Sequence, residues 1–163
     1  MKSILKSMLI IGLFISCSGD DEENIDCALY DPAFPQLFLR LEDASAENLI
    51  ENGTIDPENI NVSGDFEDAS FRYVPPNDYA QPDNEIRALD HSLALSIAYA
   101  ESFKYQIQVE DFDPIEIDFS TIRKHLPCSI TLYLPQQASS NNEVLNITEI
   151  SPLQFLVVAT LNQ

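Results

Sequence analysis

Tryptophan is missing from this 163-residue chain, glycine occurs 4 times, histidine 2 times, and Lys and Arg together only 8 times. Each scarcity excludes something. Without tryptophan there is no core indole of the kind that packs on the inter-sheet disulfide in antibody domains, and a sugar-stacking platform is poorly supplied. Only Gly53 and Gly64 lie past the acidic stretch near the N-terminus, so no glycine-rich loop can cradle a phosphate. The two histidines, His91 and His125, form no His-Glu-x-x-His pair, and neither stands beside a nucleophile motif. A Gly-x-Ser-x-Gly elbow and a Cys-x-x-Cys pair are absent as well. No run of residues approaches the ~18 apolar positions that a membrane-crossing helix needs.

Positive charge is the deepest shortage. Eight basic residues against 27 acidic ones give a formal net charge of −19 at pH 7, and losing Lys2 and Lys6 with a leader would deepen it. Such a field repels phosphate backbones, which excludes nucleic acid as a partner, and it repels anionic lipid headgroups too. Two readings of the acidity stand side by side: a solvated surface, and affinity for cations or a basic partner. With 45% hydrophobic and 21% charged residues, the composition is that of a globular chain, and its length predicts one domain. A domain of roughly 130 to 147 residues buries about two thirds of the surface its unfolded chain exposes, enough for a core.

Residues 1–16 have the parts of a secretory signal: Lys2 and Lys6 form a positive start, and "MLIIGLFI" (residues 8–15) is an apolar run. That run is too short to span a ~30 Å hydrocarbon core as a helix. "FISC", residues 14–17, resembles a bacterial lipobox, with Phe14 where leucine is usual, an apolar Ile15 and a small Ser16 before the cysteine. The acidic stretch that follows, Ser18, Gly19, Asp20, Asp21, Glu22 and Glu23, resembles the export signal of surface-exposed lipoproteins of the Bacteroidota.

The resemblance covers about 24 residues, and it implies an address. Cys17 would carry fatty-acyl chains such as palmitate and become the first mature residue. The lipid bilayer would then be a partner through Cys17, at the outer membrane and on the cell surface. Two or three acyl chains anchor stably where one does not, at about 0.8 kcal/mol per buried methylene. Charged and small residues after Cys17 make an extended tether. The competing reading is a cleaved signal followed by an acidic linker and a free Cys17. The expected layout is a signal over 1–16, a lipidated cysteine and acidic tether over 17–35, and one domain over 36–163. Sequons at Asn52, Asn61 and Asn146 have the eukaryotic glycan pattern, which a bacterial lipoprotein would leave unmodified.

With Cys17 given to lipid, Cys27 and Cys128 remain as an even pair in an exported chain, which predicts a disulfide. The alternative is two separate buried thiols acting as small apolar residues.

From residue 36 onward, short segments with two-residue alternation are separated by Asn, Asp, Pro and Ser clusters. "LFLRLED" (Leu37, Leu39, Leu41), "IEIDF" (Ile115, Ile117, Phe119) and "SITLYLP" (Ile130, Leu132, Leu134) alternate. "FEDASFRYV" and "EVLNITEI" are shorter candidates, and "FLVVATL" is apolar enough for burial on both faces. Leu93, Leu95, Ile97 and Tyr99, followed by Phe103, Tyr105, Ile107 and Val109, read as a hairpin with one wet face. Ile86, Leu89, Leu93 and Ile97 would also suit a helix stripe, the competing assignment there. Asn52-Gly53 between Ile50 and Ile55 carries the signal of a type I′ hairpin. Seven to nine strands with turn clusters about every ten residues predict an all-β fold, an antiparallel β-sandwich of immunoglobulin-like or transthyretin-like type.

The chemistry is thin. Glu110, Asp111, Asp113, Glu116 and Asp118 supply carboxylates, but on a strand Glu116 and Asp118 share the outward face. Calcium, which takes oxygen ligands from loops, has weak candidates in Asp65, Glu67, Asp68, Asp111 and Asp113, none in an EF-hand spacing. The expectation is a non-catalytic, lipid-anchored binding or scaffolding module. It would engage an extracellular protein through strand edges or the loop over residues 75–84. The alternatives are a carboxylate-dependent hydrolase acting on extracellular polymers and a calcium-stabilised surface domain.

Overall fold

The computed structural model describes residues 25–77, 87–109 and 112–161. The leader, Cys17, the acidic stretch, Asp111 and most of the 75–84 loop lie outside the described residues. Within them, ten strands form two five-stranded sheets laid face to face, the expected all-β sandwich. In spatial order the first sheet holds β3 (Phe71–Val74), β4 (Ser92–Leu95), β1 (Gln36–Glu42), β10 (Gln154–Thr160) and β9 (Ile147–Ser151). The second holds β2 (Ile60–Gly64), β5 (Ser102–Val109), β6 (Ile115–His125), β7 (Thr131–Ser140) and β8 (Glu143–Leu145). Single 3-10 turns sit at Pro57–Asn59 and Pro127–Ser129. No helix among the described residues is long and apolar enough to cross a membrane.

Alternation does the folding work. In β5 the residues Phe103, Tyr105, Ile107 and Val109 point inward and are buried, while Gln106 and Gln108 face water. They meet Leu37, Leu39 and Leu41 of β1 in one core cluster, joined by Ile117 and Phe119 of β6 and Val157 and Ala159 of β10. Phe103 and Phe119 are cross-strand partners whose rings stack with centroids 5.1 Å apart, and Phe66 meets Phe103 and Tyr105 edge-on. β10 is apolar on both sides because it lies inside its sheet: Phe155, Val157 and Ala159 face the core, and Leu156 joins Phe38 and Leu89 on the outer face.

Two expectations are corrected. First, residues 93–109 do not form a hairpin: β4 ends at Leu95 and pairs with β1 and β3, while β5 belongs to the other sheet. Alternation marks which face of a strand is buried, and it is silent on which strand lies alongside. Residues 96–100 cross between the sheets, so Ala98 is buried and Tyr99 is 80% exposed instead of lying on an inward face. Second, Gly53 does adopt φ +78°, but the chain beside it is not strand. Asn48 Oδ1 accepts from the N–H groups of Ile50 and Glu51, Ile55 N–H donates to Leu49 C=O, and Ile50 and Ile55 fold into the core. The local side-chain bonds win over a ladder there. Within the expected antiparallel-rich sandwich, β1 and β10 run parallel, in register from Gln36↔Gln154 to Glu42↔Thr160. The helix stripe does not form either, since Leu93 lies in β4 and Ile97 in the crossing.

Candidate functional site

The antiparallel pairing of β1 with β4 puts the start of one beside the end of the other, Leu37 facing Leu95. The residues just outside those termini, Phe34 and Pro35 before β1 and residues 97–99 after β4, therefore gather at one end of the sandwich. The start of β7 arrives there from the second sheet, and a concavity of about 160 Å³ is lined by Phe34, Pro35, Ile97, Tyr99, Leu132 and Tyr133, among others. Tyr99 and Tyr133 meet edge-to-face with centroids 6.0 Å apart. On the other side of the same crossing a wider concavity of about 540 Å³ is lined by Phe66, Glu67, Asp68 and residues 96–100.

The crossing that carries Tyr99 is pinned from three directions. Ser96 N–H donates to Ser70 C=O, and the two hydroxyls lie 3.0 Å apart. The Tyr105 hydroxyl donates to Ser96 C=O at 2.7 Å, and burial pushes that phenol up to about 12. The Thr121 hydroxyl donates to Ala100 C=O at 2.7 Å, while Thr121 N–H reaches Glu101 C=O. Tyr99 is thus an apolar side chain held out to water by a fixed backbone.

This end also receives the start of the described chain. Cys27 and Cys128 are bonded, with Cα atoms 5.5 Å apart, and Cys128 lies in the turn just before β7. The segment from Cys27 to Pro35 is held by the disulfide at one end and by β1 at the other. It adds Leu29, 82% exposed, and Phe34, 51% exposed, to the apolar surface. Arg123, Lys124 and His125 finish β6 nearby, with Arg123 paired to Glu101 at 3.0 Å and His125 Nδ1 3.1 Å from the Thr131 hydroxyl.

The other candidate residues are scattered. Among the described residues no three His, Cys, Asp or Glu side chains gather where a metal ion could sit. Asp65 Oδ1 accepts from Lys104 N–H, Glu67 and Asp68 line the wider concavity, and Asp113 stands apart between β5 and β6. Glu116 and Asp118 do share the outward face of β6, where both pair with Lys104 Nζ at 2.6 and 3.2 Å. Those hydrogen bonds raise the pKa of Lys104. His91, at the opposite end, sits in the turn before β4, takes φ +55°, and its Nδ1 lies 2.8 Å from the Tyr73 hydroxyl. Burial, and then the Asp90 charge, raises the Tyr73 pKa.

Sequence reasoning missed the aromatic end because Tyr99 continued an apolar alternation and Phe34 fell in the presumed tether. The available signal was Ser96, a polar residue breaking the run after Leu95. No family model, no curated protein and no solved structure matches this chain.

Proposed function

We propose that the protein is a lipid-anchored module of the outer membrane, displayed on the cell surface, whose folded domain binds or scaffolds an extracellular partner without catalysing a reaction. The observation that carries this reading is the Cys27–Cys128 bond. A disulfide belongs to an oxidising, exported setting, and this one closes the fold ten positions after Cys17, where the resemblance places the acyl chains. Any pull from the membrane then enters the domain at a covalent staple instead of peeling β1 from its sheet. Binding is supported by aromatic side chains held outward on a pinned crossing and by four edge strands, β2, β3, β8 and β9.

Mass spectrometry of the N-terminal peptide tests the address. The expected result is a chain that starts at Cys17 with two or three acyl chains, and an unmodified Cys17 defeats the reading. Protease treatment of intact cells tests display: loss of the protein is expected, and full protection would put the domain on the inner side.

A further inference from the structure

Among the described residues, the large apolar side chains that stand exposed include Leu29, Phe34 and Tyr99 at the disulfide-bearing end and Ile25 just before it, while Ile122 lies within β6 and Val144 on the β8 edge. From this clustering we infer that the tethered end is a membrane-docking face, which lies against the bilayer that Cys17 enters and sets the orientation of the domain. The inference rests on the lipid-anchor reading and deepens it.

The occupant follows from where the chain outside the described residues runs. Seven residues, 18–24, separate Cys17 from Ile25. Fully extended, that connection spans at most about 28 Å. The end bearing Leu29, Phe34 and Tyr99 is therefore the part of the domain held nearest the lipid. A short tether keeps it at an effective concentration on the order of millimolar, so contacts too weak to bind a free domain can still dock a tethered one. The chemistry of the patch suits an interface. Tyr99 and Tyr133 present an apolar ring with a polar tip, the form enriched at headgroup depth, and Leu29 and Phe34 add wholly apolar surface.

Glu67 and Asp68 line the β2–β3 side of the crossing, while the disulfide side carries Arg123 and Lys124 together with Glu101, Asp26 and Asp31, so charge does not separate the two sides. The aromatic side chains select the side instead: Phe34, Tyr99 and Tyr133 border the concavity next to the disulfide, and a bilayer meets the domain there. The opposite end, with Thr54 and Phe112, would then face outward together with the β2 and β3 edges.

Because the chain has no tryptophan, a single introduced indole reports on its own position. Tyr99→Trp, Phe34→Trp and Thr54→Trp are made in the full acylated protein and placed in phosphatidylcholine vesicles with plain or brominated acyl chains. Docking is expected to blue-shift the emission at 99 and 34 and to cause its loss with brominated chains, with no change at 54. Two reporters in the patch keep the test sound should either substitution disturb the fold. If the protein floats with the vesicles and the emission at 99 and 34 stays unquenched, the domain hangs free and the inference is wrong. A blue shift without bromine quenching overturns it in favour of a protein cover, a partner or a second copy. Absence of acyl chains on Cys17 in the same sample, with no flotation, removes the anchor reading itself and the docking with it, an outcome distinct from the first two.

Discussion

Tyr105 shows how much one side chain can settle. Its ring is buried among Phe103, Phe119 and Phe66, and its hydroxyl reaches out of the core to Ser96 C=O, tying the second sheet to the crossing from the first. Alternation along β5 made its inward direction legible, but the hydrogen bond was not, because Ser96 is a neighbour only once the two sheets face each other. Burial raises the pKa of this phenol to about 12, against an ordinary value of 10.0. The folded state therefore holds its proton where the unfolded chain has lost it. Stability from this group is complete below pH 10 and falls as pH rises through the folded value. Thermal melts from pH 9 to 12 should show that decline, and Tyr105→Phe should flatten it while costing about 1 kcal/mol at neutral pH for the lost bond. An unchanged slope in the variant would assign the alkaline decline to other groups. The two glycines of the described chain differ in the same concrete way. An added Cβ at Gly53 meets nothing within 4 Å, so Gly53→Ala should cost only the left-handed backbone at φ +78°, about 1–2 kcal/mol. At Gly64 it would sit 2.7 Å from Ala69 Cβ and 2.9 Å from Lys104 C=O, so Gly64→Ala should push β2 off β5 at about 1–3 kcal/mol. Urea melts that rank the pair the other way would contradict this account of β2.

Among the elements, the strands were readable and their partners were not. Leu37, Leu39 and Leu41 announce β1, and Ile115, Ile117 and Phe119 announce β6, because a half-buried strand writes its face into every second residue. Nothing in "LFLRLE" or "QFLVVAT" states that these two strands lie side by side in parallel, since pairing direction is decided by the connections and by what remains to be covered. The same gap explains the crossing at residues 96–100: a run that alternates through a sheet change looks continuous in sequence. Its defining feature is the set of bonds that hold it. Thr121→Val removes the hydroxyl that donates to Ala100 C=O while keeping side-chain volume, and leaves that carbonyl without its partner. The expected cost is about 1–3 kcal/mol, with faster amide exchange confined to residues 96–101. Unaltered exchange there would show that Ser70 and Tyr105 suffice to fix the crossing, and would weaken the picture of Tyr99 as a rigidly presented side chain. The candidate site was the least legible part, because Phe34, Tyr99 and Tyr133 come from three separate segments and meet only when the sandwich closes.

For the whole molecule, the cysteine arithmetic reached furthest. Pairing Cys27 with Cys128 required only that Cys17 be set aside, and the bond does span a sequence separation of 101 residues. In the chain-entropy account, closing a loop of that order removes freedom from the unfolded chain worth up to about 4.7 kcal/mol, with 2–4 kcal/mol typical of measured cases. The bond also fixes the start of the described chain. With it, residues 28–35 are held between Cys128 and β1; without it, the aromatic end would lose Leu29 and Phe34 as fixed members. Two effects of Cys27→Ser, Cys128→Ser should therefore separate in size and place. The melting temperature should fall by an amount equivalent to about 2–4 kcal/mol, while circular dichroism keeps the β signature, since β1 to β10 bury their core without help from residues 25–35. Proteolysis of the folded variant should cut first within residues 25–35, which the parent protects. If stability drops but that segment stays resistant, Leu29 and Phe34 are held by packing against the start of β7 and the staple is purely an entropic device. If the segment is cut with no loss of stability, the bond serves only the geometry of residues 25–35 and of the aromatic end beside them.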